Sequence, residues 1–230
     1  MPYLAQFWDS TIGKKIVMAV TGIIGILFVI GHMSGNFLMF KGAGAMHEYA
    51  LLLRTSMPVL YVVRTALVGA VLLHALAAYQ LTMRSRAARP EGYVKMEPQV
   101  TTFAARTIRW GGVLLLVFLV FHILQLTLGW VGVPDFVHLD PYNNLRNGLK
   151  NPLIAGFYVL AMAALGLHLY HGSWAVVRTL GVARSTQHPL KRRVALAIGV
   201  VVAIGFATIP IAVLAGAFPK EPSPVSAEAH

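Results

Sequence analysis

Nine histidines occur in this chain of 230 residues, and five of them, His32, His74, His122, His168 and His171, lie inside long apolar runs. The stretch LGLHLYHGSW, residues 165–174, holds two of these three apart. A neutral imidazole ligates transition metals and carries protons near neutral pH. An ionisable group inside an apolar span is costly enough to mark a functional position. The other four, His47, His138, His188 and His230, fall in polar segments and read as solvated surface residues. No Asp or Glu accompanies the five inside the apolar runs, whereas a proton or ion pathway usually brings intramembrane carboxylates. Cysteine is absent, which excludes disulfides, thiolate zinc sites, cysteine-ligated iron-sulfur clusters and covalent haem attachment.

The elements that must position these imidazoles follow from composition. Hydrophobic residues make up 57% of the chain and charged residues only 12%, far from the balance of a soluble domain. Apolar runs at 16–40, 58–83, 110–134, 151–177 and 194–219 are each near or above the roughly 20 residues that span hydrocarbon. Lipid offers no partner to backbone amides, and the runs lack the alternation of barrel strands, so the expectation is an all-α integral membrane protein with five transmembrane helices. One membrane domain over 1–219 and a disordered tail over 220–230 complete the layout. The first run is too long for a cleaved signal peptide's apolar region of about 7–15 residues. Of the 19 Lys and Arg, 13 fall on the side of the N-terminus and 6 on the other, so the positive-inside rule puts the N-terminus in the cytoplasm and the C-terminus outside. The net charge of +11 thereby belongs to membrane topology, and nucleic acid is not an expected partner. Between spans, AMHEYALLLRTSM reads as a short amphipathic helix ended by Pro58, RPEGYVKMEP as a cytoplasmic loop, and WVGVPDFVHLDPYNNLRNGLKNP as a turn-rich outer loop.

Depth pairs the histidines. His74 lies ten residues before Arg84 and His168 ten before Arg178, which is about 15 Å from the cytoplasmic end at 1.5 Å per residue. His32 lies nine before Lys41 and His122 eight before Trp130, about 12–14 Å from the outer end. The result is two layers of two, His32 with His122 and His74 with His168. Haem b suits two facing imidazoles in a helical bundle, and the neighbouring small residues Gly31, Gly35 and Ala75 would admit a flat macrocycle. Zinc is a poorer fit, since it wants three or four ligands. Helices one to four then form a haem-binding bundle with two haems b.

The patterns LFVIGHMSGNF, RTALVGAVLLHALAAYQLTMRSR, VFHILQL and GFYVLAMAALGLHLYHGSWAV resemble the single-chain, five-helix, di-haem cytochrome b anchor of succinate dehydrogenase and fumarate reductase. The likeness extends over roughly residues 12–215, and its marks are the H-x-x-x-N of the first helix and the H-x-x-x-G-x-W of the fourth. It implies His32 and His122 as axial ligands of an outer haem, and His74 and His168 of an inner one. It also implies a flavoprotein and an iron-sulfur subunit on the cytoplasmic face of a bacterial membrane, and a quinone, most often menaquinone, as membrane substrate. His171 is not required by the pattern; a propionate or the docked iron-sulfur subunit is its expected partner. Glu48 and His47 are candidate proton groups for the quinone, against the reading of an ordinary polar loop. Arg64 either pairs with a haem propionate or snorkels to the headgroups. Rivals are a cytochrome b subunit of a formate dehydrogenase or hydrogenase, and a haem-free transporter with polar intramembrane histidines.

Overall fold

The computed structural model describes residues 2–88, 102–181 and 189–227. Among them every regular element is helical. Five helical spans, Thr11–Lys41, Met57–Ala87, Phe103–Thr127, Pro152–Thr179 and Pro189–Leu214, are long and apolar enough to cross a membrane, and no Asp or Glu lies in any of them. The cytoplasmic loop expected around RPEGYVKMEP, with Arg89, Lys95, Arg184, His188 and His230, lies outside the described residues.

A short helix α1 (Pro2–Asp9) leads into α2 (Thr11–Asn36). Ser10 caps α2 by accepting from the Gly13 amide at 2.8 Å, a residue type suited to that position. Lys14 is buried at this junction, its ammonium donating to the Trp8 carbonyl and lying 4.7 Å over the Trp8 ring. Helix α2 runs on through a 3-10 turn, Phe37–Lys41, and stops at Gly42, whose φ of 100° favours glycine. Helix α3 (Ala43–Leu52) follows. Pro58 opens α4 (Met57–Ala87) within its first turn rather than ending the preceding helix, because proline's missing N–H is no loss there.

The third span begins seven residues before the expected 110 and ends seven before the expected 134. Helix α5 (Phe103–His122) starts at the Thr102 cap and carries Arg106 and Arg109 on its first turns. A single π turn, Ile123–Thr127, closes it, and Gly129 and Gly132, at φ 66° and 65°, turn the chain away. The apolar Val131 and Val133 belong to the following loop, so hydropathy alone misplaced the end. The turn-rich loop also hides α6 (Pro141–Leu149), capped by the Asp140 carboxylate. Its Tyr142, Leu145 and Leu149 are buried against Met39, Met46, Tyr158, Ile209 and Phe218. This cap at the α3 end of the bundle holds a core cluster of buried apolar side chains.

Helix α7 (Pro152–Thr179) is central, packing against α2, α5 and α8 (Pro189–Leu214), while α2 also packs on α4. Lipid removes the usual hydrophobic drive between helices, so close approach of small residues must hold them. Ala77, Ala155 and Ala161 are fully buried, and Gly166 faces Gly199 with no room for a Cβ on either. The large exposed residues, Leu27, Val62, Leu72, Val117 and Ile204 among them, form the surface that lipid would cover.

The chain beyond α8, expected to be disordered from 220, is tied to the cap over its first residues. The Phe218 carbonyl accepts from Arg146 Nε at 2.8 Å, the Pro219 carbonyl from the Tyr142 hydroxyl at 3.0 Å, and the Glu221 carboxylate from the Ala43 amide at 2.7 Å. Pro224–Ala227 forms a last helical turn, α9. Buried donors at Arg146 and Ala43 need acceptors, and this strap supplies them.

Candidate functional site

The five intramembrane histidines sit on four helices that touch in a crossed pattern. His32 is on α2, His74 on α4, His122 at the end of α5, and His168 with His171 on α7. The His32 and His122 rings lie 5.8 Å apart between centres at an interplanar angle of 87°, and the His74 and His168 rings 6.0 Å apart at 51°. Neither α2 with α5 nor α4 with α7 packs closely along the backbone; the imidazoles meet across the space between.

Distance decides what such a pair can hold. An imidazole nitrogen bonds a first-row metal at about 2 Å and lies about 1.1 Å from its own ring centre, so two imidazoles on opposite sides of one ion hold their centres about 6 Å apart. Both pairs are at that separation. No group of three or more His, Asp or Glu converges anywhere among the described residues, so a tetrahedral zinc cage has no candidate here.

Two hydroxyls brace the rings. Thr21 Oγ1 donates to the Val17 carbonyl at 2.7 Å and lies 3.1 Å from His74 Nδ1. The threonine proton is thereby committed, so His74 Nδ1 must be the donor and its Nε2 keeps a free lone pair. Tyr158 OH lies 3.1 Å from His122 Nδ1 and donates to Gln125 Oε1 at 2.7 Å. His168 Nδ1 is buried without a hydrogen-bond partner.

The layers can be measured along the helices that serve both. On α7, Tyr158 marks the level of His122 and lies ten residues from His168; on α2, Thr21 marks the level of His74 and lies eleven from His32. Both counts place the two pairs about 15 Å apart along the bundle. Thus α2 and α7 each carry a histidine of one pair and the brace of the other. Between the layers, Gly25, on the same face of α2 as Thr21 and His32, has no atom within 4 Å of where a Cβ would stand, and neither has Gly111, which lies at the level of His168 on the face of α5 that carries His122. A cleft of about 180 Å³ beside the second pair is lined by Phe103, Thr107, Gly111, Ala163, Leu167 and His168.

No family model, no curated protein and no solved structure matches the chain.

The remaining sequence candidates are placed differently from one another. His171 is half-buried one turn beyond His168 and makes no ring contact with His74. His47, read as a solvated histidine or a proton group, is instead buried in the cap, its Nδ1 donating to the Leu139 carbonyl at 2.9 Å. Leu139 has φ 68°, a backbone turned back toward α3 that the loop's sequence does not announce. Glu48, next to it, is exposed. Gly35 does not leave space for a macrocycle, since a Cβ there would stand 2.7 Å from the Tyr49 ring; Gly31 is open. Arg64 is exposed near Arg54, whose guanidinium is held below its usual range by burial first and by the Arg64 charge second. Thr21, Tyr158 and Gln125 were missed by the sequence reading. A buried glutamine three residues after an intramembrane histidine, in VFHILQL, was the available signal.

Proposed function

We propose that this chain is the di-haem cytochrome b membrane anchor of a succinate:quinone or fumarate:quinone oxidoreductase. The observation that carries the proposal is the pair of histidine pairs, each with ring centres near 6 Å and stacked about 15 Å apart along α2 and α7. The donor chemistry fits: neutral imidazoles with Nδ1 turned to a hydroxyl at His74 and His122 leave Nε2 for iron. His32, His122, His74 and His168 would be the axial ligands. Haem b, when bound at each pair, supplies one-electron redox chemistry, and two such groups connect the faces of the membrane.

The chain's own residues do the rest. Thr21 and Tyr158 hold ring rotation, and the four rings are partly buried among the helices. Arg64 and Arg54, two cations close together, favour an anion such as a propionate or a lipid phosphate. His171, toward the Arg178 end of α7, suits a propionate of the other haem or the iron-sulfur subunit. The excess of Lys and Arg at the α1 end supports a cytoplasmic N-terminus in a bacterial inner membrane, with the flavoprotein and iron-sulfur subunit docked on that side. Quinone, menaquinone by the resemblance, would react near the outer pair.

A reduced-minus-oxidised spectrum with haem quantitation on the purified protein tests the reading. Two haems b per chain are expected; a haem-free preparation from haem-replete cells sinks it and favours a transporter. At the quinone site, only Glu48 of the two candidates is exposed. Glu48→Gln is expected to lower quinone-linked turnover about 10²-fold or more, the loss typical of a proton-transfer group, with haem content unchanged. Unchanged turnover removes Glu48 from the site.

A further inference from the structure

The outer pair carries a device the inner pair lacks. Gln125 is fully buried in the π turn that follows His122, and its Nε2 lies 3.4 Å from the carbonyls of both Gly132 and Gly148. Carbonyls accept only, so two of them on one side of the amide dictate that Nε2 faces the cap and Oε1 faces Tyr158. The Tyr158 hydroxyl must then donate to Oε1, as its 2.7 Å contact has it. Its one proton is spent. What remains on that oxygen is a lone pair, so His122 Nδ1, at 3.1 Å, is the donor.

We infer that Gln125 and Tyr158 are positioning residues for the outer haem: the cap's two carbonyls dictate, through them, the tautomer and ring rotation of His122 and the electron-donating strength of its Nε2. This rests on the di-haem reading. A ligand imidazole that gives its Nδ1 proton to an acceptor gains basicity at Nε2, which favours the oxidised iron and lowers the potential. The chain Gln125–Tyr158–His122 also keeps the His122 plane at 87° to His32. In the inner layer the series is shorter and stays within α2, from His74 Nδ1 to Thr21 to the Val17 carbonyl, and His168 Nδ1 has no partner, so nothing relays the cap to that pair. The cap loop is built around this contact: a Cβ on Gly148 would stand 2.9 Å from Gln125 Nε2.

The test is a redox titration of the intact protein with low-temperature spectra of its ferric low-spin resonances, read against haem content. Tyr158→Phe, which keeps the ring and deletes the acceptor, is expected to raise the potential of one haem component and shift its resonance while the other stays unchanged. Affinity for that haem should fall about 10–100-fold. Gln125→Met should move the same component in the same direction, and Thr21→Val the other one; this crossed pattern is not produced by general destabilisation. If Tyr158→Phe fails to accumulate, Gln125→Met carries the test alone. Two retained haems with both potentials and resonances unmoved overturn the inference, as does a shift of both components by Tyr158→Phe. A wild-type protein without haem overturns instead the reading on which it rests.

Discussion

On the di-haem reading, replacing His168 by alanine is expected to reduce the haem content from about two per chain to about one, whereas replacing His171 leaves it at about two. The two histidines share a helix and lie three residues apart, so composition and hydropathy do not separate them. Geometry does. His168 has its ring centre 6.0 Å from that of His74, the separation of two imidazoles on one metal, and its Nδ1 is buried without a protein partner. His171 lies one turn nearer the Arg178 end and has no ring contact across the bundle. Pyridine haemochrome quantitation of the two variants, beside wild type, reads the result. Loss of a haem from His171→Ala with retention in His168→Ala would reverse the assignment. On the proposed function, losing the inner centre should also stop electron passage from the partner subunits to quinone, since the remaining pair lies about 15 Å further along the bundle.

Gly199→Leu should be as damaging although it touches no histidine. A Cβ on Gly199 would stand 2.5 Å from the Gly166 carbonyl and 3.2 Å from Tyr170 Cβ and its amide nitrogen, and a Cβ on Gly166 would meet Ala203 and the Gly199 carbonyl. The obstruction is mostly backbone on both sides, so no rotamer change relieves it. Inside lipid this close approach is much of what holds α7 to α8. Overpacking ordinarily costs about 1–3 kcal/mol, and a leucine against two helix backbones exceeds that range by separating the helices. Helix α7 carries both His168 and Tyr158, so displacement would disturb both layers together. The expected outcome is a low yield of protein, a lowered melting temperature in detergent and loss of both haems. Gly156→Ala is the control, with no atom within 4 Å of its new methyl; it should match wild type. A Gly199→Leu protein with normal melting would mean that α7 and α8 do not meet there.

Much of the scaffold was legible because lipid simplifies the rules. A span must be helical and about 20 residues long, and charged residues interrupt it, so five helices followed from reading between charges. Depth was legible as well, since a helix rises evenly and Arg84, Arg178 and Lys41 mark its ends. That arithmetic sets His32 beside His122 and His74 beside His168, and these are the rings in contact. The braces were not legible. Thr21 and Tyr158 meet their histidines from other helices, 53 and 36 residues away in the chain, and nothing local distinguishes them from an ordinary threonine or tyrosine in a span. The cap was misread for a different reason. Gly, Asn, Pro and Asp in 129–152 signal turns, but Asp140 caps α6 and Pro141, Asn143, Asn144, Asn147 and Gly148 lie within it, and its Tyr142, Leu145 and Leu149 are nearly inaccessible. His47 was judged by the polarity of its neighbours, while the carbonyl that claims it belongs to Leu139, far along the chain.

The strap formed by residues 218–221 sets an order of events during biogenesis. Arg146 Nε, the Tyr142 hydroxyl and the first amide of α3 find these acceptors on chain that emerges after α8. The first four spans, with all four paired histidines, can therefore be inserted and face one another before the cap is fastened. His74 finds Thr21 on the preceding span, whereas the Gly148 carbonyl that orients Gln125 belongs to α6, which is secured last. The pair near the α1 end thus needs only the first four spans, whereas the pair beneath the cap leans, through Gln125, on a helix fastened by chain that follows the fifth.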